Sequence, residues 1–147
     1  MSATSDKRLD GWREQAFSAS YIKDAVWTQG LRGFASYRDL GVEDATGGQF
    51  RAHIVRVKKE AFDEHHTTGL HRHHCDFQFN YCLKGWSKFV YEGQEGEFTF
   101  GAGDSWLQPA GIVHNEIECS DDVEILEIYA PAVHETEPVK TMAQVAD

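Results

Sequence analysis

The chain has 147 residues, with 14 Lys+Arg against 24 Asp+Glu, so the formal net charge is −10 with its eight His neutral. At roughly 100–200 residues per domain this is one domain, long enough to bury a core without disulfide staples. The apolar share is 41% before 13 glycines are counted, which excludes a wholly disordered chain, and the acidic balance excludes nucleic acid and anionic membrane surfaces as direct partners.

No apolar run approaches the roughly 18–20 residues that span a bilayer. The opening Met1–Glu14 is too polar for the core of a signal peptide. A cytoplasmic, reducing setting is expected. Cys75, Cys82 and Cys119 are an odd set without a CxxC pair, which fits free thiols.

Residues 1–30 read as an N-terminal arm. The first eight are polar, and Asp10 is placed to cap a short helix. The irregular spacing of Trp12, Phe17, Tyr21, Ile22, Val26 and Trp27 fits a segment that wraps over the body of the domain. Residues 31–130 carry a β signal: short runs of Val, Ile, Phe, Tyr and Trp between clusters of Gly, Asn and Asp. Strands are expected at Gly33–Tyr37, Phe50–Val57, Gly69–His73, Phe77–Leu83, Ser87–Tyr91, Gly96–Phe100, Ser105–Gln108, His114–Cys119 and Val123–Tyr129. Lys58–Glu60 and Asp63–His66 read as solvated turns. About nine evenly spaced strands predict an all-β closed sandwich or barrel. Residues 131–147 read as an extended tail.

Alternation within Phe77–Leu83 puts Phe77, Phe79, Tyr81 and Leu83 on one face, and Gln78, Asn80 and Cys82 on the other. The polar face is expected to line a pocket, with Asn80 and Cys82 in it. The apolar row is expected to be covered by another segment or by a second copy of the chain.

Seven of the eight His lie between 53 and 114. His71 and His73 share a strand face. A turn near Cys75–Asp76 can return Gln78 to that face, and His114 follows the turn Pro109-Ala-Gly111. Three imidazoles and an amide oxygen can then meet, and imidazole suits Zn, Cu, Fe and Ni. With His114 inward, Glu116 and Glu118 are expected to point inward too, as candidate proton carriers. No inward Arg or Lys stands out to hold a substrate carboxylate; Lys88 and Arg51 are the nearest.

These motifs resemble those of the cupins. His71-x-His73, then Gln78 and Gly85, match the spacing of that family's first motif; Gly103, Pro109, Gly111 and His114 match its second. There are three departures. The glycine expected ahead of His71 is missing, with Gly69 nearer. Gln78 stands where the family has Glu. Glu118 stands where the family has Asn. The resemblance implies a double-stranded β-helix (jelly-roll barrel), often a homodimer, in which His71, His73, Gln78 and His114 hold one divalent transition metal (Fe, Ni, Mn or Zn). An uncharged amide in place of a carboxylate leaves more of the ion's charge uncompensated, which favours an anionic ligand. The function expected on this basis is a metalloenzyme acting on a small oxygen-rich or enolisable organic acid, with dioxygenase-type or isomerase/lyase-type chemistry. The alternative is a non-catalytic cupin that binds or senses a small molecule. No nucleophile elbow, zincin, P-loop or Rossmann signature is present.

Overall fold

Period-two alternation is carried through as all-β structure. A computed structural model describes residues 11–29, 35–57 and 69–141. Its strands are β1 (Thr28–Gln29), β2 (Ala35–Asp39), β3 (Arg51–Val57), β4 (His71–His73), β5 (Phe77–Lys84), β6 (Trp86–Tyr91), β7 (Phe98–Gly101), β8 (Ser105–Leu107), β9 (His114–Cys119), β10 (Glu124–Ala130) and β11 (Thr136–Pro138). A one-turn helix, α1, covers Val42–Ala45, and a 3-10 turn covers Ile22–Asp24. The nine expected strands correspond to β2–β10 with ends shifted by at most two residues. The expected turns at Lys58–Glu60 and Asp63–His66, the helix start at Asp10 and the last six residues lie outside the described residues.

The strands form two antiparallel sheets in a jelly roll. One runs β1-β2-β3-β10-β5-β8 and the other β11-β4-β9-β6-β7. Inward side chains change character along the strands. At one end Val55, Val57, Cys82, Phe89, Trp106 and Ile125 belong to a single apolar cluster, with the Phe100 and Trp106 rings stacked at 3.8 Å. At the other end the same inward faces carry Arg51, His53, Gln78, Asn80, Glu127 and Tyr129, and the space between the sheets opens into a cavity. Gly85 makes the tight β5–β6 turn at φ +69; a Cβ there would collide with Ser120 Oγ and press on Val123 Cα at 3.0 Å.

The described part of the N-terminal arm runs beside α1 and β2. The Ala16 N–H donates to the Ala45 carbonyl at 2.8 Å, the Arg38 guanidinium donates to Ser20 Oγ at 2.9 Å, and Arg56 sits 3.7 Å over the Trp27 ring. Thr28 and Gln29 then pair with β2. These residues do not cover the apolar row of β5: Phe77, Tyr81 and Leu83 remain exposed on the outer face. Their neighbours there are apolar as well, because Phe79 pairs with Ile128 and with Leu107, and Tyr81 with Leu126. The tail adds a strand that local pattern did not predict, with Thr136, Glu137 and Pro138 opposite His73, Arg72 and His71.

Candidate metal centre and cavity

β4 and β9 are neighbours, with His71 directly opposite His114. One ring nitrogen from each of His71, His73 and His114 falls within 4.8 Å of the others. Backbone and side-chain acceptors orient these rings. His71 Nδ1 lies 2.7 Å from the Gly69 carbonyl, His114 Nδ1 3.1 Å from the Ile112 carbonyl and His73 Nδ1 2.9 Å from Thr136 Oγ1. A carbonyl can only accept, so His71 and His114 carry a proton on Nδ1, which leaves Nε2 as the nitrogen each could offer a metal. Neutral imidazoles held from behind in this way suit a transition metal.

Gln78 is buried in the same cavity, at the end of a directed chain of hydrogen bonds. The Trp106 indole N–H donates to the Tyr91 hydroxyl at 2.8 Å. Tyr91 donates to Gln108 Oε1 at 2.8 Å, and the Gln108 amide donates to Gln78 Oε1 at 3.2 Å. The Gln78 amide lies 3.1 Å from the side-chain amide of Asn80. An amide oxygen has two lone pairs, so one engaged by Gln108 leaves ligand capacity on the other. Burial pushes the Tyr91 phenol up, with the Trp106 N–H opposing it, so Tyr91 stays a protonated donor in the chain. Gln108 and Tyr91 were not singled out in the sequence. Only the position of Gln108 beside Pro109, in the second motif, pointed to it.

Two expected pocket residues need correction. Cys82 points inward but lies below the cavity, fully buried in the apolar cluster, with its thiol against the Lys84 and Gly85 carbonyls. Asn80 does line the cavity. Glu118 points outward, where the Lys88 ammonium lies 3.4 Å from its carboxylate. Strict alternation from His114 fails because β9 is irregular against β6. Lys88 pairs with Glu118, but the next residue, Phe89, pairs with Glu116, which leaves Ile117 as an extra residue. Such a bulge reverses the facing of everything beyond it. Glu116 therefore keeps its inward orientation and accepts a hydrogen bond from Ser87 Oγ. Burial pushes its carboxyl up to about 7; the Ser87 hydroxyl opposes that rise, and the nearby Glu127 carboxylate adds to it.

The facing sheet supplies a second polar group. His53 Nε2 lies 2.7 Å from Glu127 Oε1 and His53 Nδ1 3.4 Å from the Tyr129 hydroxyl. Arg51 donates to that hydroxyl at 3.4 Å and holds Glu43 through two of its nitrogens at 2.6 and 2.9 Å. Burial pushes the Tyr129 phenol up to about 12, opposed by the hydrogen bond from Arg51. His134 bridges the two groups: its ring centroid is 5.7 Å from that of His73 and 4.7 Å from that of Tyr129. The cavity enclosed by both groups has a volume of about 790 Å³. Of the two cations considered in the sequence, Arg51 lines this cavity and Lys88 does not.

Residues 59–129 match the Cupin domain family. Among curated proteins, none matches the chain by sequence. Solved structures do match. KdgF from Halomonas sp. is 17% identical over 79% of this chain and 94% of its own, with a TM-score of 0.62. The polyketide cyclase RemF from Streptomyces resistomycificus is 16% identical over 86% of this chain and 87% of its own, at 0.65. An oxalate decarboxylase from Bacillus subtilis is 17% identical over 89% of this chain and 33% of its own, at 0.60. At these identities the likeness is one of fold, and the matched structures include enzymes. Jelly roll, paired His motifs and family match agree: residues 59–129 belong to a cupin domain, and the chain has the cupin fold.

Proposed function

We propose that this cupin is a metalloenzyme in which His71, His73, His114 and Gln78 hold one divalent transition metal and turn over an oxygen-rich or enolisable organic molecule. The observation that carries this reading is the convergence of three imidazole nitrogens within 4.8 Å, each ring held through Nδ1. The donor set fits the ion, since it combines neutral imidazoles with an amide oxygen. When bound, the ion supplies Lewis acidity and a template for two substrate oxygens.

The chain's own side chains do the rest. Gln78 is held in place by Gln108 and Asn80. Glu116, on the His114 face of β9, is the proton carrier within the cavity, oriented by Ser87. Oxygen insertion is the reaction class if the metal is iron; isomerisation or lyase chemistry follows for Ni, Mn or Zn. A non-catalytic binding or sensing cupin is the alternative, favoured by the absence of a Lys among the described lining residues and by the engagement of Arg51 with Glu43. We further propose that the protein works in the cytoplasm as a homodimer, whose interface is the exposed row Phe77, Tyr81 and Leu83.

The test is metal content after purification without added metal or chelator, for wild type, His71→Ala and Gln78→Ala. About one equivalent in the wild type, lost in His71→Ala, is expected. Iron directs the search to oxygen uptake, and Ni, Mn or Zn to isomerase and lyase assays. A wild type that holds no metal and takes none up on addition overturns the metalloenzyme and leaves the binding barrel.

A further inference from the structure

The cavity is larger, and its described lining less cationic, than a short organic acid requires. Its volume of about 790 Å³ lies in the range of roughly 300–1,000 Å³ that holds ligands of drug size. A short aliphatic acid would leave most of it to water. Its charge also opposes a carboxylate away from the metal. Among the described lining residues there are four carboxylates, Asp39, Glu43, Glu116 and Glu127, and one Arg or Lys, Arg51, which already holds Glu43. Toward the apolar end of the sheets, beside both the imidazole cluster of β4 and β9 and the Glu127–His53–Tyr129 group of β3 and β10, the cavity is lined by Ala35, Val55, Val57, Phe89 and Ile125.

We propose that the cavity is a two-ended site for a neutral, hydroxylated aromatic molecule of about two fused rings. This rests on the metal reading for one end only: there His71, His73 and His114 would engage a chelating pair of oxygens through the ion. The apolar wall takes the ring system. At the facing end a hydroxyl of the ligand finds Glu127 as acceptor, and a ligand oxygen finds the Tyr129 phenol and the Arg51 guanidinium as donors. The 3.4 Å contacts of Tyr129 to His53 and Arg51 are long, so the phenol can turn to a better partner at little cost.

The experiment is calorimetric titration of the full chain in two arms. In the first, with EDTA present, 2-naphthol is expected to bind at a single site and butyrate not at all. Tyr129→Phe should weaken 2-naphthol three- to tenfold, the net worth of one hydrogen bond. Val55→Trp, which fills the apolar wall, should abolish its binding; Ile125→Phe replaces that variant if circular dichroism shows it unfolded. In the second arm, on zinc-loaded protein, 2,3-dihydroxynaphthalene is expected to bind about tenfold more tightly than catechol, because of the second buried ring. Absent 2-naphthol binding, or binding indifferent to both wall and phenol variants, overturns the proposal. So does equal affinity for catechol and dihydroxynaphthalene. A failure of the metal reading is separate: the chain then takes up no zinc while the first arm stands.

Discussion

His73 Nδ1 lies 2.9 Å from the hydroxyl of Thr136, a residue 63 positions further along the chain. The C-terminal strand β11 thus braces a proposed metal ligand from behind, and the tail is part of the centre. Partners of this kind typically contribute 10–100-fold to metal affinity. Thr136→Val should therefore lower affinity by about that factor in competition against a chromophoric chelator. Thr136 is exposed, so the melting temperature of the metal-free protein should hardly move. Unchanged metal affinity would show that the ring is oriented without β11.

Glu116 and Glu118 lie two residues apart on β9 but on opposite sides of the sheet, separated by the bulge at Ile117. Once a substrate is in hand, Glu116→Gln should reduce turnover by about 10²–10⁴, the usual worth of a positioned acid or base, with metal content unchanged. Glu118→Gln should alter turnover less than twofold, and stability by at most about 0.5 kcal/mol, since its pairing with Lys88 is at the surface. Equal effects from the two variants would remove Glu116 from the mechanism.

The cysteines give a prediction free of any ligand. Cys75, Cys82 and Cys119 are all free thiols and all buried. Burial pushes the Cys75 and Cys82 thiols up, more strongly than nearby backbone hydrogen bonds lower them. Less thiolate and no access mean slow alkylation. A chromogenic disulfide reagent at neutral pH should titrate essentially no thiol in the native protein and three after denaturation. Rapid reaction of one thiol in the native state would contradict the packing described for it.

The apolar outer face predicts association. Phe77, Tyr81 and Leu83 are 42%, 38% and 42% exposed, on one strand of a sheet whose adjoining strands place Leu107, Leu126 and Ile128 in register beside that row. A stable dimer needs about 800 Å² from each partner. Light scattering should find a dimer at micromolar concentration, converted to a monomer by Tyr81→Asp or Leu83→Asp. A dimer that survives both substitutions must use another face.

Much of this protein is legible from local pattern. Strand period is set by the backbone of each residue and its neighbours, so β2–β10 could be placed before any pairing was known. The pair His71 and His73 shares a face for the same reason, and His114 follows a turn whose Pro and Gly announce it. What local pattern could not decide was register. The bulge at Ile117 depends on how β9 lies against β6, so the outward turn of Glu118 had no local sign. The change from polar to apolar along one inward face, which leaves Asn80 in the cavity and Cys82 in the core, depends on where the sheets close. The pairing of His53 with Glu127 spans 74 positions, and that of Gln78 with Gln108 spans 30. Contacts at such separations arise only when strands from distant parts of the chain are brought side by side, and no periodicity within one strand encodes its neighbour. The sequence by itself determined the all-β class and the three imidazoles; tertiary structure decided what stands behind them and what faces them across the cavity.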